Sequence, residues 1–91
     1  MGKYARMRLR YLKEYQPTLY TSLLFSGKLD EHLSEIENSA QTMMETIVSR
    51  LKQECGITEE LKAVDQMRWM AEMGSIRASA EEIVLAEIIY E

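Results

Sequence analysis

The sequence predicts an all-α protein, a small bundle of four to five helices with two long antiparallel helices. Three observations carry this. The breakers Pro17, Gly27, Gly56 and Gly74 leave long intervals rich in helix-forming residues. Within those intervals apolar residues recur at spacings of three and four. No stretch alternates β-branched with polar residues, so no strand is expected.

Residues 3–15 form the first helix. Tyr4, Met7, Tyr11 and Tyr15 fall within an arc of about 80° at 100° per residue, and Lys3, Arg6, Arg10 and Lys13 fall within another on the far side. Gln16-Pro17 interrupts it, because proline suits a first helical turn and disfavours helical geometry in the residue before it. A second helix, residues 17–26, carries Leu19, Tyr20, Leu23, Leu24 and Phe25, with Gly27 to close it in the left-handed conformation.

Residues 28–55 form a third helix of about seven turns. Leu29, Leu33, Ile36, Ala40, Met43 and Ile47 make a stripe that drifts onto Met44, Val48, Leu51 and Cys55, as a straight helix requires. Gly56 follows its end. Thr58 is an N-cap for residues 58–64, with Glu59 and Glu60 suited to the positive end of the helix dipole. Asp65 is a second N-cap for residues 66–90, although a helix continuous through Asp65 fits the pattern too. The last stripe is Trp69, Met73, Ile76, Ala80, Ile83 and Val84. Gly74 lies inside it and costs about 1 kcal/mol relative to Ala, which points to close helix packing there.

The 91 residues make one domain, residues 1–91, whose own core is marginal at this size. A single cysteine precludes an internal disulfide and suits a reducing compartment, so the cytoplasm is the expected location. No apolar run approaches the roughly 18 residues of a membrane span, so no membrane contact is expected. The net charge of −4 conceals a division: residues 1–28 sum to +5 and residues 29–91 to −9. Such asymmetry marks an interaction end.

Groups for chemistry are sparse. His32, the only histidine, lies about 60° from the centre of its apolar stripe, as a boundary residue does. Cys55 has no histidine near it in sequence, and the pairs Glu59-Glu60 and Glu81-Glu82 each point in two directions. The spacing fits no metal site, phosphate loop or cofactor, and no catalytic residue or small-molecule substrate is expected. The basic face of Lys3, Arg6, Arg10 and Lys13 is the candidate nucleic-acid contact, with a solvated helix face as the plainer reading. Arg8 falls inside the tyrosine arc and Glu87 in line with the last apolar stripe. Buried charges need partners, so the two are expected to form an ion pair where the first and last helices meet, unless both extend to solvent. Met43, Met44, Trp69, Met70 and Met73 either fill the core or form a surface joining two copies of the chain.

The run Gly2-Lys3-Tyr4-Ala5-Arg6-Met7-Arg8, then Tyr11-Leu12-Lys13-Glu14, Pro17, Leu19-Tyr20, Leu23-Leu24 and Ser26-Gly27-Lys28-Leu29, resembles the opening of TnpV-type transposon-encoded proteins. Gly56-Ile57-Thr58-Glu59, Leu61-Lys62-Ala63, Met67, Trp69, Met73, Ile76-Arg77, Ala80-Glu81-Glu82-Ile83-Val84, Glu87 and Ile89-Tyr90 extend the likeness over nearly the whole chain. Two features depart from the family: its members carry an amino-terminal extension before the Gly-Lys-Tyr run, and Gln66 stands where they have Pro. The resemblance implies an origin in a mobile genetic element and carries no catalytic residue or cofactor. The expected function is that of a non-catalytic accessory protein acting through protein partners and self-association, a homo-oligomer. The alternative is a DNA-binding accessory factor of transposition that uses the first helix.

Overall fold

A computed structural model describes all 91 residues. Five helices follow in order: α1 (Lys3–Tyr15), α2 (Pro17–Phe25), α3 (Leu29–Glu54), α4 (Glu59–Val64) and α5 (Gln66–Val84). The chain then widens into a π-helical turn, Leu85–Ile89, where Tyr90 N–H bonds back to the Leu85 carbonyl at 2.8 Å. There is no strand.

Local chemistry explains each boundary. Pro17 opens α2 at its first position, where a missing N–H costs nothing. Gly27 and Gly56 adopt φ of 75° and 67°. Each lets the next N–H reach back past the helix end, Lys28 to the Leu23 carbonyl at 3.0 Å and Ile57 to Lys52 at 2.9 Å, and so satisfies carbonyls the helix leaves open. Thr58 caps α4 by accepting from Leu61 N–H at 3.2 Å. Asp65 caps α5 by accepting from Arg68 N–H at 3.1 Å, with its backbone at φ −145°, so the helix breaks there even without a proline at position 66.

The 26 residues of α3 span about 39 Å and form the spine. Helix α1 runs antiparallel to its amino-terminal half, since Ala5 meets Glu37 and Arg8 meets His32. Helix α5 also returns antiparallel to α3 and lies parallel to α1, with Tyr4 against Glu81 and Arg8 against Ile89. One core joins all three helices: Tyr4, Ala40, Ile47, Ala80, Val84 and Ile89. A second, smaller core at the far end holds Ile57, Met73 and Ile76 under Leu61 and Trp69.

The result is a rod of 55 × 19 × 19 Å. Its Cα radius of gyration is 16.7 Å, against about 12 Å for a compact domain of this length. Only 13 of 91 residues are buried, and α2 contributes none of them. Gly74, expected to allow close packing within the bundle, has nothing of its own chain within 4 Å of where a Cβ would stand.

Candidate interaction surfaces

Of the four cations on the basic face of α1, one is paired with a carboxylate of another helix. Lys3 forms an ion pair with Glu81 of α5, and that hydrogen bond holds its pKa above the ordinary lysine value. Tyr4 donates to the other Glu81 oxygen at 3.4 Å. Arg6 donates to the Met1 carbonyl at 3.1 Å, and its charge acts on Glu37. Arg10 and Lys13 remain exposed, with the Lys13 ammonium 5.6 Å from the centre of the Tyr20 ring. The division of charge seen along the sequence also disappears on folding. The half of the rod that contains α1 comprises residues 1–40 and 78–91, with six basic residues against nine acidic, a net of −3. Most of the −9 carried by residues 29–91 therefore lies beside the cations of α1.

Arg8 is buried, as its place among the tyrosines predicts, but the expected ion pair with Glu87 does not form. Glu87 is exposed. The guanidinium instead donates to the main-chain oxygens of Ile89 at 2.8 Å and Glu91 at 3.1 Å. Its Nε faces His32 Nε2 at 3.3 Å, so His32 accepts there as a neutral imidazole. Burial pushes the His32 pKa below its ordinary value and the Arg8 charge pushes it further, with Glu35 opposing. The main-chain oxygens at a helix end carry negative charge, which favours a buried cation there. Gln16 completes the arrangement by donating to Glu91 O at 3.0 Å and to the Tyr11 hydroxyl at 3.3 Å.

Glu37 is a structural residue that the sequence pattern did not reveal. Helix α1 begins at Gly2 with no side-chain cap of its own. The Glu37 carboxylate of α3 takes that role, accepting from Ala5 N–H at 2.9 Å and from the Gln41 amide at 2.8 Å. Burial raises its pKa, but the hydrogen bonds from Ala5, Gln41 and Tyr4 and the charge of Arg6 together lower it more. A Cβ on Gly2 would fall onto this carboxylate, so the absence of a side chain makes the cap fit.

The methionine set divides. Met73 is buried, Met43, Met44 and Trp69 are half-buried in the two cores, and Met70 stands 59% exposed. The Trp69 ring lies under the Lys62 ammonium at 4.7 Å. Large apolar side chains are exposed at both ends of the rod: Val64, Met67 and Met70 around the α4–α5 junction, and Leu24 and Phe25 on α2. A groove of about 440 Å³ runs along α1 between Met7, Arg10, Tyr11, Glu14, Tyr15 and Tyr90. Tyr11 packs against Tyr15 and, edge-on, against Tyr90 at 5.4 Å. Cys55, expected on an apolar edge, is exposed at the end of α3.

No group of three or more His, Cys, Asp or Glu side chains converges to hold a metal ion. No helix is long and apolar enough to cross a membrane. No curated protein and no solved structure matches the chain significantly. A family model described as transposon-encoded protein TnpV matches residues 1–89, and the chain belongs to that family of mobile-element proteins.

Proposed function

We propose that this protein is a non-catalytic, cytoplasmic accessory of its mobile element that works through protein–protein contacts, first of all with a second copy of itself. The observation that carries this reading is the surface. The chain exposes 6294 Å², about 800 Å² more than the roughly 5500 Å² of a compact monomer of this mass. That excess equals about one partner's share of a standard protein interface. Part of it is strongly apolar, with Phe25, Val64 and Met67 each more than four-fifths exposed. Light scattering over a concentration series tests the reading. Mass should rise from 10.6 kDa toward twice that value, and a strict monomer at the highest soluble concentration would remove it.

A second reading, a DNA-binding accessory factor, rests on Arg6, Arg10 and Lys13, which have no carboxylate within ion-pair distance. The net −3 of the surrounding half works against phosphate binding. A mobility-shift assay at low salt separates the two. A shift that falls steeply with salt and is abolished by changing Lys3, Arg6 and Arg10 together to Glu supports DNA binding, and no shift discards it.

A further inference from the structure

Gly74 sits inside α5, where glycine is a poor helix former, yet it gives its own chain nothing: no atom lies within reach of a Cβ placed there. It belongs to the outward face of the helix. Met67, Ala71, Gly74 and Ala78 recur at spacings of four, three and four and are all exposed, opposite the face that buries Met73, Ile76, Ala80 and Val84. Met67 is 84% and Met70 59% exposed beside this line, and Val64, 86% exposed, stands just before it. Four-and-three spacing is that of a helix seam directed at a partner helix, and no helix of this chain covers these residues.

We propose that this outward face of α5 docks against the same face of a second copy, with the two helices antiparallel. This rests on the self-association reading above and names its surface. Two observations fix the occupant and its direction. The surface in excess of a compact monomer matches one side of a dimer interface. The face is also charged oppositely at its two ends: Arg68 lies at the amino end and Glu82 at the carboxyl end, on the same flank two heptads apart, and both are exposed. The chain's one ion pair, Lys3–Glu81, uses neither. A two-fold axis near the middle of the helix brings the Arg68 end of each copy toward the Glu82 end of the other. Parallel pairing leaves both Arg68 at one end and both Glu82 at the other, so neither meets an opposite charge. Such a contact is isologous and closes as a dimer. The small residues at its centre allow the backbones to approach, while the methionines supply the apolar area.

The test is sedimentation equilibrium of the full chain and three variants, with helix content followed by circular dichroism. Gly74→Glu places two carboxylates near the axis and meets no atom of its own chain. It should leave helix content intact and raise the dimer dissociation constant by roughly a hundredfold or more. Phe25→Ser, on α2, should leave the dimer unchanged. Arg68→Glu and Glu82→Arg should each weaken the dimer, and the doubly exchanged chain should recover it. A dimer that survives Gly74→Glu, or that is lost in Phe25→Ser, overturns the α5 face while leaving self-association standing. Failure of the double exchange to recover the dimer overturns the antiparallel pairing. A wild-type chain that stays monomeric overturns both the surface and the reading beneath it.

Discussion

Replacing Arg8 by methionine keeps most of the volume of the side chain and removes its charge and donors. The structure sets the size of the effect. The guanidinium makes two bonds to main-chain oxygens, at 2.8 and 3.1 Å, the first of them buried, and a longer one to His32. Hydrogen bonds to a charged group contribute about 1.5–3 kcal/mol each, so the two main-chain bonds represent about 3–6 kcal/mol. Removing a cation that is only 6% exposed recovers part of its desolvation cost. The recovery is incomplete, because the Ile89 carbonyl then stays buried without a partner. A net loss of about 2–4 kcal/mol follows, a large fraction of the roughly 5–14 kcal/mol expected of a domain of this length. Urea unfolding at fixed protein concentration, followed by helix content, measures it. With a slope near 1 kcal/mol per molar, the midpoint should fall by about 2 M or more. Arg8→Lys, which keeps the charge but not the fork, should lose about half as much. A midpoint within about 0.3 M of wild type for Arg8→Met would show that the guanidinium is not what holds α1 to the end of α5.

Further outcomes follow from the other contacts and from the backbone. The folded-state pKa of His32 lies below its ordinary value of 6.5, so its contribution is complete above that pH and is lost as the pH falls through the folded value. Urea midpoints should therefore decline as the pH falls below about 6.5, and His32→Gln should flatten the decline. The lowered pKa of Glu37 places its loss in a more acidic window, below its ordinary value of 4.5. Glu37→Gln should cost about 1 kcal/mol at neutral pH, and the difference from wild type should close in acid. Gly2→Ala should cost a similar amount by displacing the carboxylate from Ala5. Among the glycines, Gly27→Ala and Gly56→Ala should each lower the thermal midpoint, because both positions have positive φ. Gly74→Ala should raise helix stability by up to about 1 kcal/mol.

The sequence made the breaks and stripes of this fold legible because they are local. Pro17, Gly27, Gly56, Thr58 and Asp65 act on backbone groups within five residues, and each ends or starts a helix by chemistry that spacing alone reveals. Long-range partners were hidden for a matching reason. Arg8 needs a partner, but its partners are main-chain oxygens more than 80 residues away, and a main-chain oxygen has no residue identity to search for. Pairing by charge pointed to Glu87, one turn from the right place and on the wrong face. Glu37 looked like any solvated acid of α3, because a cap supplied by another helix leaves no mark in the sequence of the helix it caps. The net charge of each segment misled in the same way, since it could not register that α1 folds between the acidic start of α3 and the acidic end of α5. The widened π-helical turn leaves no pattern that distinguishes it from the α-helix it continues.

The bond from Arg8 to Ile89 joins positions 81 residues apart, and this has a kinetic meaning. A contact of that separation closes one of the longest loops in the chain and is expected to form late, after the α3–α5 hairpin has assembled from nearer neighbours. Contacts absent from the folding transition state govern how fast a protein comes apart. Loss of Arg8 should therefore speed unfolding far more than it slows folding. In hydrogen exchange, α1 and the Leu85–Ile89 turn should open together as one unit, while the second core of Ile57, Met73 and Ile76 remains closed.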